Sequence, residues 1–315
     1  MKLRNIIRRI ARPNNNQSLK NPIGESPIDT VDPYSDRLIQ DRIDYLGDKT
    51  SNSNIKGVSH ENRGEEQLIV SLTTFGERIN QVYLPIESIM QGSMKPDKII
   101  LWLAKDEFEG KTLPITLQKQ QNRGLEIAYC HDLKQYNKLI HTLEKYPNSS
   151  IITIDDDALY EDDLLERLYT NHLSHRNTIC ACRMHRIRTD ENNNPLPYLQ
   201  WDLCIEDEDV SILNFPTGVG GVLYPPHCFS KEVFNSEVFM DICPKADDIW
   251  FYAMARIANV SSRWVKNDKP QGYYLPLPLT NDALSLYNTS TIDNGNDIQF
   301  QKVIKQYHIS LTTKN

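Results

Sequence analysis

Beyond residue 66 the chain alternates between two hydrophobic periods. Short apolar runs, "QLIVSL", "DKIILWL", "LEIAYC" and "SIITID", are long enough only for strands. Between them lie "RINQVYLPIESIMQG", with Pro85 near its start, "LPITLQKQQNRG", opened by Pro114 and closed at Gly124, and "QYNKLIHTLEKYP", stopped by Pro147. Their spacing predicts helices. Strand and helix in this alternation imply parallel βαβ units. "EDDLLERLYTNHL" is a further helix and "TICACRMHRI" a further strand. An irregular stretch follows over 190–216, then "GVGGVLYPP" as a strand with turns and "DDIWFYAMARIANV" as a helix. The remainder, with "GYYLPLPL" and "GNDIQFQKVIKQYHI", is mixed and ends on a helix. The fold class is therefore α/β, a mostly parallel central sheet flanked by helices, with a less regular C-terminal half. Three segments result: 1–66, 67–160 and 161–315. The first is polar linker around one short helix in "DPYSDRLIQDRIDYLG".

Composition narrows the partners. The formal net charge of −7 argues against a general nucleic-acid binder. The six cysteines form no C-x-x-C pair and lack metal-ligand spacing, which suits reduced, buried thiols and a cytoplasmic setting. No apolar run approaches the roughly 18 residues of a membrane span. The first residues, "MKLRNIIRRIARP", carry basic side chains around an apolar stripe and no acid. Residues 1–12 are thus expected either to rest on an anionic membrane, at its inner face, or to form a frayed basic tail.

The strongest chemical signal is the run of Asp155, Asp156 and Asp157 directly after "SIITI". In open parallel sheets, ligands bind beyond the carboxyl ends of the strands. An extended chain would point Asp155 and Asp157 to one side and Asp156 to the other. Two such carboxylates, about 6–7 Å apart, repel by roughly 3 kcal/mol at an effective dielectric near 20. A hard divalent cation, Mn²⁺ or Mg²⁺, would relieve this and leave room for phosphate. Glu161, Asp162 and Asp163 are expected to cap the next helix. An EF-hand is excluded by the missing glycine and ligand spacing.

A second focus is Asp247 and Asp248 at the start of an apolar helix, where either caps the helix or serves as a general base. Glycines 218, 220 and 221 allow close backbone approach to a ligand or form a bulged strand. Trp250 either offers its ring to a ligand or packs in the core. Alternation along "CRMHRIR" puts Arg183, His185 and Ile187 on one face and Arg186 and Arg188 on the other. One of these faces is a candidate for a diphosphate or another acidic ligand.

Taken in order, "IVSLTTFGERI", "QYNKLI", "DDD", "GVGGVLY" and "KADDIWF" resemble the GT-A-fold glycosyltransferases that build bacterial capsule, O-antigen and other surface polysaccharides. The resemblance covers residues 67–260 and implies the following. Residues 67–160 form the nucleotide-sugar half, and 161–315 the acceptor and catalytic half. Asp157 ligates the metal directly. Asp155 contacts it through water or holds the ribose, and Asp156 reaches the nucleotide. Thr73, Thr74, Phe75 and Arg78 surround the base and phosphates, and Lys138 lies near the nucleotide. Gly220, Gly221 and Trp250 meet the acceptor. Asp248 takes the base position of inverting members, with Asp247 as close competitor, since Asp stands where the family has Glu. The implied reaction moves a sugar from a UDP- or GDP-linked donor to a glycan or lipid-linked glycan hydroxyl. The alternatives are a sugar nucleotidyltransferase, against which the single glycine of "SLTTFGERI" counts, and an inactive glycan-binding scaffold.

Overall fold

The computed structural model describes residues 33–59, 66–267, 274–277 and 295–312. Its centre is a seven-stranded sheet. β1 (Leu68–Thr73), β2 (Lys98–Ala104), β3 (Leu125–Cys130), β4 (Ser150–Thr153), β6 (Thr178–Ala181), β9 (Val222–Tyr224) and β10 (Ser261–Trp264) lie in the order 10-6-9-4-1-2-3. β5 (Ala158–Tyr160) and β11 (Tyr274–Pro276) form a separate antiparallel pair, as do β7 (Met184–Arg186) and β8 (Asn214–Pro216). In the main sheet only β9 runs antiparallel, to β4 and β6. β1, β4 and β6 therefore point the same way, and β9 starts where they end. The loops after β1, β4 and β6, and the loop into β9, converge on one edge of the sheet.

Both faces of the sheet are covered, which is why the strands read as continuous apolar runs. β1 buries Leu68, Ile69, Val70 and Leu72 fully. The helices are α1 (Pro33–Asn52), α2 (Tyr83–Met90), α3 (Lys105–Phe108), α4 (Ile115–Gln121), α5 (Ile140–Lys145), α6 (Leu164–Ser174), α7 (Ser236–Ile242), α8 (Asp247–Ile257) and α9 (Gly295–Tyr307). None among the described residues is long and apolar enough to cross a membrane. The expected elements are present, with three shifts. The helix predicted from Arg78 splits into a 3-10 turn at Gly76–Asn80 and α2, which leaves Pro85 in a first turn that needs no N–H from it. The helix predicted from Gln135 begins as a 3-10 turn at Lys134–Lys138 before α5. The run "TICACRMHRI" breaks at Cys182–Arg183, because β6 stays in the main sheet while β7 leaves it to pair with β8. The expected membrane contact of residues 1–12 lies outside the described residues.

The helix expected within 1–66 is longer than predicted and docks firmly. Leu46 of α1 is buried in a cluster with Leu84, Leu159 and Leu277. Thr50 Oγ1 donates to Glu87 Oε2 (3.1 Å), a fully buried carboxylate that also receives Gln120 Nε2 (3.0 Å) and Arg123 Nη1 (2.8 Å). Arg42 reaches Asp162 at 2.6 Å. A buried ion pair earns little against an apolar replacement but is costly to break on one side. Arg123→Met should lower unfolding stability by about 3–5 kcal/mol, and the double replacement with Glu87→Met should recover most of that. Urea denaturation of the three proteins is the check; a double variant no better than the single one would refute it.

Candidate functional site

Among the described residues, the edge where the strand ends converge carries five carboxylates and two cations. At the end of β1, Thr74 is buried and its Oγ1 donates to Asp156 Oδ2 at 2.6 Å. Arg78 spans two acids: Nη1 lies 2.5 Å from Asp156 Oδ1 and Nη2 3.3 Å from Asp157 Oδ2. The guanidinium also sits 5.0 Å from the ring centre of Phe75. Phe75 is 48% exposed and is not part of the core. Thr73 turns away, donating its hydroxyl to the Trp102 carbonyl at 2.9 Å.

On the other side of the acids stands Lys138, buried in the 3-10 turn before α5. That turn is anchored by Tyr136, whose hydroxyl donates to the Cys243 carbonyl at 2.6 Å. Lys138 Nζ donates to Asp155 Oδ1 at 3.0 Å and lies 3.1 Å from Asp247 Oδ2, without the alignment of a hydrogen bond to the latter. Burial opposes the charge on Lys138, but Asp155, Asp247 and Asp248 outweigh it and hold the ammonium well above its ordinary range. Asp248 Oδ1 accepts the Gly218 N–H at 3.0 Å. A Cβ on Gly218 would stand 3.0 Å from Lys138 Nζ and 3.1 Å from Asp248 Oδ1, so the site admits only glycine there without movement.

The alternation expected of the three acids is not kept. β4 ends at Thr153 and the chain turns at Asp156–Asp157, so Asp156 and Asp157 share Arg78 while Asp155 faces Lys138. The turn is fixed by the Asp155 N–H, which donates to the Tyr160 hydroxyl (2.7 Å), and by the Asp157 carbonyl, which accepts the Leu277 N–H (2.8 Å). Two cations do not balance five carboxylates. Burial, with Asp155 and Asp156 adding, pushes Asp157 up to about 6. Burial, with Asp247 adding, pushes Asp248 up to about 7. Burial also raises Asp247, against the pull of Lys138.

This imbalance bears on a divalent ion. Among the described residues no three His, Cys, Asp or Glu side chains are gathered as a ready-made metal cage. Mg²⁺ and Mn²⁺ do not need one: one or two carboxylates, waters and substrate phosphates suffice. Asp155 and Asp157, both partly exposed and in negative surplus, fit that donor chemistry.

Several expectations change. Trp250 is fully buried; its Nε1 donates to the Val233 carbonyl at 3.1 Å and its ring packs edge-on against Phe239 and Tyr307. It offers no face to a sugar. Gly220 and Gly221 adopt φ of 97° and 96°, which turns the chain into β9, and a Cβ on Gly221 would meet Leu164 at 3.2 Å. Their glycines serve the turn and its packing; Gly218 is the one against the acids. Arg78 and Lys138, expected beside a nucleotide, are counter-ions of the acids. Asp163 flanks α6 without a side-chain cap and pairs with Arg167, while neither Asp247 nor Asp248 caps α8. Tyr160 and Tyr274 also frame the acids, and nothing in the local sequence marks them.

No protein-family model matches the sequence, and no curated protein is detectably similar to it in sequence. Solved structures that share part of its arrangement include the mannosyltransferase PcManGT from Pyrobaculum calidifontis in complex with GDP-Man and Mn²⁺. That likeness has 13% identity, TM-score 0.31, and covers 47% of this chain and 43% of that one, so the chain spans less than half the mannosyltransferase's length. S. aureus TarS 1–349 is similar at 10% identity, TM-score 0.42, over 76% of this chain and 72% of that one. CMP:2-keto-3-deoxy-manno-octonic acid synthetase complexed with CTP is similar at 9% identity, TM-score 0.40, over 73% and 99%. Likenesses this weak leave the activity to be argued from the chain's own residues.

Lys138→Met removes the only cation within reach of Asp155 and Asp247 among the described residues. Stability should fall by about 3–5 kcal/mol at pH 8. The deficit should shrink towards pH 5, where Asp247, already raised by burial and no longer held down by the ammonium, takes up a proton on the folded chain. Denaturant curves at both pH values decide; a deficit independent of pH would mean that Lys138 acts by packing alone.

Proposed function

We propose that the chain is a glycosyltransferase of the GT-A type that moves a sugar from a nucleoside diphosphate to a hydroxyl of a surface glycan or lipid-linked glycan, with inversion. One observation carries this reading. A half-buried carboxylate, Asp248, is pinned by a backbone N–H across from an acid turn that keeps surplus negative charge.

Donor binding falls to the β1 side. Phe75, with its exposed ring under Arg78, supplies a face for the nucleotide base, and Thr74 and Arg78 fix Asp156. Asp157 and Asp155 would hold Mn²⁺ or Mg²⁺. That ion, when bound, would act as a Lewis acid for the departing diphosphate. Asp248 takes the proton of the acceptor hydroxyl as its oxygen bonds to the anomeric carbon. The anomeric C–O bond to phosphate breaks, and its electron pair leaves with the diphosphate. A carboxylate pushed up to about 7 is well matched to that proton. Asp247, held against Lys138, is the worse candidate for the base, which supports assigning that role to Asp248. The basic, apolar sequence of residues 1–12 supports action at the inner face of a membrane.

UDP or GDP with Mn²⁺ should raise the melting temperature; a larger shift with a nucleoside triphosphate would favour nucleotidyl transfer instead. Asp248→Asn should lower transfer about 10²–10⁴-fold with nucleotide affinity kept, whereas Asp157→Asn should lose the metal-dependent part of that affinity. Equal loss of nucleotide binding in both would overturn the division of roles. The kcat/KM for transfer should rise with pH through about 7, because only the deprotonated Asp248 accepts a proton. A flat profile between pH 5.5 and 8.5, measured with a saturating donor, would assign the base elsewhere.

A further inference from the structure

Arg183 is a buried cation that the reaction described so far does not use. It follows β6 directly, at the edge where β4 delivers the acids. The predicted alternation holds here. Arg186 and Arg188 face outward and pair with Asp207 (2.9 Å) and Asp202 (3.4 Å), while Arg183, His185 and Ile187 face inward and are 8%, 1% and 1% exposed. Arg183 Nη1 donates to Thr217 Oγ1 at 2.9 Å, and its carbonyl accepts the Thr217 N–H. Nε is buried and has no partner. The guanidinium also hydrogen-bonds the Cys204 side chain and lies near the phenols of Tyr198 and Tyr274; no carboxylate of the described residues lies at ion-pair distance.

A guanidinium taken out of water without an anion is costly, and a fold that keeps one usually meets an anion there. Its position selects which. Thr217 precedes Gly218, the residue that pins Asp248, so Arg183 borders the base. The donor side, with Thr74 and Arg78, follows β1, and β4 and β9 stand between β1 and β6. Tyr274 links the two regions, lying within electrostatic reach of Arg183 and of Asp155 and Asp157.

We propose that Arg183 is the acceptor-recognition residue and that the acceptor carries an oxyanion, phosphate or carboxylate, near the hydroxyl that receives the sugar. The word acceptor rests on the glycosyl-transfer reading; the anion site does not. A guanidinium whose Nε–H has no partner, and whose other N–H groups meet only neutral hydroxyl and thiol groups, suits either oxyanion.

Titration calorimetry of the full chain tests this, with and without saturating UDP or GDP and Mn²⁺. The probes are glycerol 3-phosphate and glucuronate, with glycerol and glucose as neutral controls. One anion should bind at least about ten-fold more tightly than its neutral counterpart, and which one does so separates phosphate from carboxylate. Arg183→Gln should remove that preference and change nucleotide affinity less than about two-fold. Arg183→Lys, which keeps the charge and is the safer variant to fold, should weaken the anion at least about five-fold. Equal binding of charged and neutral probes by the unaltered chain would overturn the proposal. So would a loss of nucleotide affinity in Arg183→Gln with the preference intact, since that places Arg183 on the donor. Anion preference in a chain that binds no nucleotide would sink glycosyl transfer and leave the anion site standing.

Discussion

The crowding of like charge at one sheet edge governs the rest of this structure. Among the described residues five carboxylates meet where β1, β4, β9 and α8 come together, and only Arg78 and Lys138 answer them at ion-pair distance. Carboxylates at such separations raise each other's proton affinity unless cations intervene. The fold supplies cations from two different elements, one after β1 and one before α5, so the acids tie distant parts of the chain together. What remains uncompensated is the chemical resource of the site. It suits the donor chemistry of a divalent ion at the turn and pushes Asp248 up to about 7.

The same arrangement divides labour along the sheet. The β1 side is occupied by Thr74, Phe75 and Arg78, with an exposed ring and a guanidinium already committed to acids. The β6 side holds Arg183, which pairs with no acid among the described residues. Between them Gly218 brings the backbone close enough to hold Asp248, at a spot where any side chain would collide with Lys138. Under the glycosyl-transfer reading proposed above, donor, acid turn, base and acceptor follow one another in the spatial order of the strands.

The alternation of apolar runs and amphipathic stretches made the α/β architecture legible, and acids at a strand end located the site. What escaped was governed by tertiary context. Trp250 sits on the same helix as Asp248, yet a helix packed on the sheet turns that ring into the core. Glycines 218, 220 and 221 look alike in a row; only a three-dimensional neighbour separates the one that faces Lys138 from those that make a turn. Arg78 and Lys138 were visible as cations, but their partners lie 78 and 17 residues away. Charge pairing at that separation leaves no periodic trace. The inward face of "CRMHRIR" was readable because β7 keeps the strand alternation even after leaving the main sheet.

The contact of α1 with Leu277 joins the N-terminal helix to the chemistry. Leu277 packs on Leu46, and its own N–H holds the Asp157 carbonyl. A helix that contributes no side chain to the acids therefore braces the peptide on which one of them sits. Trimming the polypeptide to residues 67–260 would strip that brace, and the shortened chain would keep its sheet while losing its hold on the peptide that carries Asp157.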